Sequence, residues 1–205
     1  TSWDQDHCKY ADLIQILNKF RPNVIEYPDY APDTDNGKLS KKTIESYDDV
    51  HEKYTPNCRP FNKTYFDSLT TAPKLGTNNI VYRPEFKAEN SNDKSLIKLF
   101  RSNGFNVVSL GDLESSTIAE RLAACEMFYE EIDVLILPHH GADNGFITGD
   151  FLDKINPKMA ICSSNYDNQY DHPRDTIRSL LSNREIKMMT TKRGDIIITH
   201  SDSVT

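Results

Sequence analysis

The run 133–136, followed by Leu137-Pro138-His139-His140-Gly141, ends an apolar strand in two adjacent imidazoles. Neutral histidine is the commonest protein ligand for a catalytic divalent metal, and a strand end is a rigid place to hold one. A His-His-Gly triplet carries little weight by itself. Two further clusters add to it: Asp4-Gln5-Asp6-His7 near the start of the chain, and Leu110-Gly111-Asp112 in its middle. Three separated groups of Asp and His, each at an element boundary, predict one metal site assembled by folding. The expected ligand set is Asp4, Asp6, His7, Asp112, His139 and His140, with one or two divalent ions.

The elements that must position these groups can be traced from the apolar spacing. Leu13, Ile14, Ile16, Leu17 and Phe20 recur at helical intervals, and Pro22 ends that helix. A short strand begins at Val24. Residues 27–71 are polar and punctuated by Pro28, Pro32, Pro56 and Pro60, with a helix expected over 38–53. A segment this long and irregular reads as an insertion or lid. A strand follows at 79–83. Asn103-Gly104, between two β-prone runs, is a hairpin signature because both residues tolerate positive φ. The second hairpin strand runs straight into Gly111-Asp112. Further helices are expected at 115–129, 147–155 and 174–181, with strands at 133–137, 159–163, 186–190 and 195–199. Strands and helices alternate in the second half around a central hairpin, which suits two sheets with helices outside them.

Composition limits the function classes. The 205 residues suffice for one domain with a full core, expected to span 1–205. Charged residues at 27% and apolar ones at 37% exclude a chain too polar to fold. No apolar run approaches the roughly 20 residues that cross a bilayer, and no signal-peptide pattern opens the chain. A net charge of −7 argues against charge-driven, non-specific nucleic-acid binding. It leaves a nuclease open, since bound metal and local Lys or Arg offset the global sign. The four cysteines show no paired zinc spacing and read as reduced thiols, so a cytoplasmic protein is expected.

Several motifs in order carry a resemblance. They are Asn92-Asp93-Lys94-Ser95-Leu96, Leu110-Gly111-Asp112-Leu113-Glu114, the strand into His139-His140-Gly141, Asn156-Pro157 to Ser163, Tyr170-Asp171-His172-Pro173 and Gly194-Asp195-Ile196-Ile197. With these the chain resembles the metallo-β-lactamase superfamily, in the branch typified by the hydrolase domain of ComEC-like DNA-uptake proteins. The resemblance covers about half the chain strongly and the opening dozen residues moderately. It does not reach 27–71.

The resemblance implies an α/β fold of the metallo-β-lactamase type, an αββα sandwich. The superfamily signature His-x-His-x-Asp-His falls on Ser2-Trp3-Asp4-Gln5-Asp6-His7. Asp6 and His7 match it, Asp4 replaces one histidine and Ser2 the other. The chain starts at this motif, so the N-terminal strands of the family are not in the sequence, and a partner or missing segment is expected to complete the first sheet. Asp112 is implied as a bridging carboxylate, Asn92 and Ser95 as substrate contacts, and Asp6 and His172 as catalytic groups.

His172 is expected to grip a phosphate or protonate the leaving group; the plainer alternative is a helix-entry residue on the surface. His51 is a poor ligand candidate. A second metal position built on Asp4, Asp112 and Asn92 or Asp93 offers only oxygen, which suits Mn²⁺ or Mg²⁺ better than Zn²⁺. The implied activity is metal-dependent hydrolysis of a phosphodiester in a nucleic acid or nucleotide, by a metal-bound hydroxide. The alternative is a catalytically degenerate member used for binding or scaffolding.

Overall fold

The computed structural model describes residues 2–47, 57–62, 64, 80–82, 90–102, 104–125, 128 and 132–199. They group into two compact units, Thr1–Leu75 and Gly76–Thr205.

The first unit contains α1 (Tyr10–Phe20), β1 (Val24–Pro28), α2 (Asp35–Glu45) and β2 (Asn57–Phe61). Helix α1 ends at Arg21, which takes a left-handed conformation one residue before Pro22. The Thr34 hydroxyl accepts the Gly37 N–H and starts α2. That helix begins and ends earlier than the spacing predicts, and 48–53 of the expected helix lie outside the described residues. The segment after Tyr27 is also more regular than its composition suggests. β1 pairs in parallel with β2 from Val24↔Asn57 to Pro28↔Phe61. Trp3, Tyr27 and Ile44 form the core of this unit, with Leu13, Ile25 and Cys58 packed against it. Tyr27 is therefore a core residue of its unit.

The second unit is mixed α/β around a six-stranded sheet in sequence order: β3 (Ile80–Tyr82), β4 (Ile97–Ser102), β5 (Phe105–Ser109), β6 (Val134–Ile136), β7 (Met159–Cys162) and β8 (Lys187–Thr190). β3, β4 and β5 pair antiparallel, and β5 through β8 pair in parallel. The expected hairpin is present, with Gly104 at φ 76. Three helices alternate with the parallel strands: α3 (Ser116–Ala123), α4 (Gly149–Ile155) and α5 (Asp175–Ser182). The Ser115 hydroxyl caps α3 by accepting the Ile118 N–H, and the helix stops at Ala123, short of the expected 129. Leu99, Val108, Leu135 and Ala160 from the sheet share a core with Leu122, Leu152 and Ile177 from the helices.

Asp133 ties together the starts of three strands. Its carboxylate accepts the Asn106 N–H at 2.7 Å and the Lys158 ammonium at 2.5 Å, and its carbonyl accepts the Met159 N–H at 3.0 Å. The register Ser109↔Ile136↔Ile161 follows, so β5, β6 and β7 end side by side.

The expected strand over 195–199 does not form. The chain turns through Thr191–Arg193 and Gly194 and then joins no ladder among the described residues, with Ile197 85% exposed. Alternation predicts a strand only where one face has a sheet or core to cover, and among the described residues Ile197 has neither.

Candidate metal centre

In the second unit the candidate residues lie at the C-terminal ends of β5, β6 and β7, where open sheets with parallel strands commonly bind ligands. β5 leads into Gly111-Asp112, β6 into His139-His140 and β7 into Ser163. The His139 N–H donates to the Gly111 carbonyl at 2.9 Å, which joins the first two turns directly.

Asp112 is buried and held from below. Its N–H donates to the Ser95 hydroxyl at 3.0 Å, and Ser95 is 0% exposed. Ser95, expected to contact substrate, thus supports the turn that carries Asp112. Asn92 donates through Nδ2 to Glu114 Oε1 at 2.7 Å. Asp93 accepts the N–H groups of Glu114 and Ser115, both at 2.9 Å, and so fixes the entry to α3. Its carboxylate is occupied by backbone donors.

His139 and His140 both adopt left-handed backbone conformations, at φ 45 and φ 55. Non-glycine residues are uncommon there, and two in succession cost of order 1–3 kcal/mol each. Such strain persists where the surroundings over-determine it, commonly at functional sites. The two rings have different partners. His140 Nδ1 lies 2.6 Å from the Ser163 carbonyl, which fixes that nitrogen as the donor and leaves Nε2 with its lone pair. Nε2 stands 3.7 Å from Asp112 Oδ1. That separation is long for a hydrogen bond, and it suits two ligands each ~2.0–2.2 Å from one ion. A ligating histidine characteristically donates its other ring N–H to a carbonyl or carboxylate. The residues here fit a divalent metal.

His139 Nδ1 approaches Glu114 Oε1 to 2.7 Å. This is a close approach without hydrogen-bond alignment, since Nδ1 makes no hydrogen bond among the described residues. Glu114 was not among the predicted site residues. Its signal was the Gly111-Asp112-Leu113-Glu114 spacing, which puts two carboxylates two residues apart on one turn.

His172 is 7% exposed, and its ring lies 5.9 Å from that of His139 and 6.5 Å from that of His140. Its Nδ1 is buried without a hydrogen bond among the described residues. Burial chiefly, then the neighbouring His139, Arg174 and His140, holds the imidazole below its usual pKa, with Asp171 pulling the other way. The ring is therefore biased towards neutral. It is not a surface helix-entry residue.

Two contacts brace the histidine turn. The Cys162 thiol donates to the His140 carbonyl at 2.9 Å, and burial pushes that thiol's pKa up, keeping the proton in place. Gly141, at φ 80, accepts the Arg174 N–H at 3.0 Å and packs on Pro173. A Cβ at Gly141 would stand 2.6 Å from Pro173 Cβ. Gly141→Ala is therefore expected to cost roughly 1–3 kcal/mol through backbone strain and overlap. Thermal unfolding should show a lower Tm; an unchanged Tm would mean that the turn does not sit against Pro173.

Asp4, Asp6 and His7 belong to the first unit. The Asp4 carbonyl accepts the N–H groups of His7 and Cys8 at 3.0 and 2.8 Å, closing a tight turn. Asp6 and His7 thereby bring ligand atoms within 4.8 Å of each other. Ser2 is buried, and its hydroxyl accepts the Asp4 N–H at 3.3 Å. His51 lies outside the described residues.

The second unit is thus a mixed α/β fold, with a mostly parallel sheet whose strand ends gather Asp and His residues that could hold a metal ion. Part of the chain is similar to known proteins. The chain is 29% identical over 106 residues to ComE operon protein 3 of Bacillus subtilis (strain 168), covering 52% of this chain and 13% of that protein. It is 31% identical over 107 residues to competence protein ComA of Neisseria gonorrhoeae, covering 52% and 15%. The second is a competence protein by name, in keeping with the branch that the motifs resemble, and the matched stretch is a small part of each relative. No family model matches the chain. Among the described residues, no helix is long and apolar enough to cross a membrane.

Proposed function

We propose that the protein is a metal-dependent hydrolase of phosphodiesters, built on a metallo-β-lactamase-type fold. The observation that carries this reading is the His140–Asp112 pair: a ring oriented by the Ser163 carbonyl, with Nε2 3.7 Å from a buried carboxylate. Metal bound there would supply charge neutralisation at a phosphoryl oxygen and an activated water. The sequence resemblance gives Asp6 and His7 ligand roles as well, and gives Asp6 the further task of orienting the water.

His172 has the phosphate-side task. Its ring is biased towards neutral by burial chiefly, and by the basic side chains of His139, Arg174 and His140. A phosphodiester anion beside it opposes that bias, because a nearby negative charge favours the protonated imidazole. The proton is then available to the leaving oxygen once substrate is in place.

Elemental analysis of the purified protein, followed by chelation and reconstitution, tests this reading. Stoichiometric divalent metal and metal-restored hydrolysis of bis(p-nitrophenyl) phosphate are the expected results. Mn²⁺ is expected to restore more activity than Zn²⁺, since Asp4 and Ser2 replace histidines and leave an oxygen-rich ligand set. Full activity with one Zn²⁺ per chain, and no gain from Mn²⁺, would count against that preference.

A second reading, a degenerate member used as a binding or scaffold protein, is favoured by Ser2. It stands where the signature has a histidine, and its hydroxyl is spent on the Asp4 N–H. Protein that holds no metal after reconstitution would support it.

A further inference from the structure

Tyr170 lies on the loop after β7 and is 58% exposed, with its ring 5.7 Å from that of His172 and nearly parallel to it at 21°. The loop is pinned by one side chain. Asn168 Oδ1 accepts the His172 N–H at 2.6 Å, and Nδ2 donates to the carbonyls of Asn165 and His172, both at 3.0 Å. The Asp171 N–H closes on the Asn168 carbonyl at 3.2 Å. A solvent-facing aromatic on a loose loop needs no explanation. Here the aromatic is held in place, stacked on a buried imidazole whose Nδ1 has no hydrogen bond among the described residues.

The two side chains ask for different things from one ligand. His172 Nδ1 calls for a polar oxygen, and Arg174, whose charge acts on His172, favours an anionic one. The exposed face of Tyr170 calls for a flat ring. A nucleotide meets both demands, because a single sugar separates its phosphate from its base.

We propose that Tyr170 is a nucleobase platform, taking an unpaired base beside a phosphate held at His172. A base within a duplex is already stacked on both faces, so the platform selects single-stranded nucleic acid or a strand end. This rests on the phosphate role given to His172 above, and it narrows the substrate from any phosphodiester to one bearing an unpaired base.

The test is binding in EDTA, followed by fluorescence anisotropy, of a labelled oligothymidylate and of an abasic oligomer of equal length. The full chain should bind the oligothymidylate more tightly. Tyr170→Ala should weaken that binding about tenfold, within the range for losing one base–aromatic stack, and remove most of the preference over the abasic oligomer. Tyr170→Trp should restore it. Tyr166→Ala, at another exposed aromatic on the same loop, should keep it. Equal weakening of both oligomers by Tyr170→Ala would overturn the proposal, since Tyr170 would then only prop His172. Absence of a preference in the parent, or of any binding, would overturn it too. Neither metal nor turnover enters the measurement. A protein that prefers unpaired bases through Tyr170 yet hydrolyses nothing would refute the hydrolase and leave the platform standing.

Discussion

Asp112→Asn is expected to give a folded protein that keeps no divalent metal and hydrolyses no phosphodiester. The substitution is nearly isosteric and leaves the Asp112 N–H free to donate to Ser95 as before. What it removes is the negative charge 3.7 Å from His140 Nε2, and a neutral amide is a poor ligand for a hard cation. Metal content by elemental analysis and turnover of bis(p-nitrophenyl) phosphate should fall together to background, while far-UV circular dichroism stays at the parent signal. A variant that retains stoichiometric metal would remove Asp112 from the ligand set. The hydrolytic reading would then lose the pair on which it stands.

His172→Ala should behave in the opposite way towards metal. If the imidazole meets the phosphate and supplies a proton, it has no part in holding the ion, so metal content should remain at the parent level. Turnover should fall by roughly 10²-fold or more, the usual contribution of a positioned acid. The contrast between the two variants is diagnostic, because loss of metal in both would make His172 a ligand. Hydrolysis at the parent rate in His172→Ala would leave the mechanism without its acid. It would reduce His172 to the buried ring on which Tyr170 stacks.

Much of this arrangement could be read along the chain. Asp112 and the His139-His140 pair are recognisable because each follows an apolar run that a glycine or proline cuts short, and strand ends are where a sheet presents side chains to a ligand. His172 stands out through the Tyr170-Asp171-His172-Pro173 motif alone. The hairpin was legible for a local reason: Gly104 must take a positive φ, and the sequence offers Asn103-Gly104 between two β-prone runs. The strand at 195–199 was misread because alternation reports only what a strand could cover. Whether a neighbour is present to be covered is not a local property.

The sequence by itself determined which residue types reach the ends of β5, β6 and β7, since apolar length and turn chemistry act within a few residues. Only the tertiary structure decided how those residues divide the work. His139 and His140 are adjacent and chemically identical, yet one ring is oriented by the carbonyl of Ser163 and the other approaches Glu114. That difference arises because the two left-handed residues between β6 and Gly141 aim their rings at different neighbours. Ser95, expected to contact substrate, is buried beneath Asp112, and Glu114, absent from the expected set, lies beside His139. Partners brought together from distant stretches of chain set the orientation of each side chain, and no spacing along the chain encodes them.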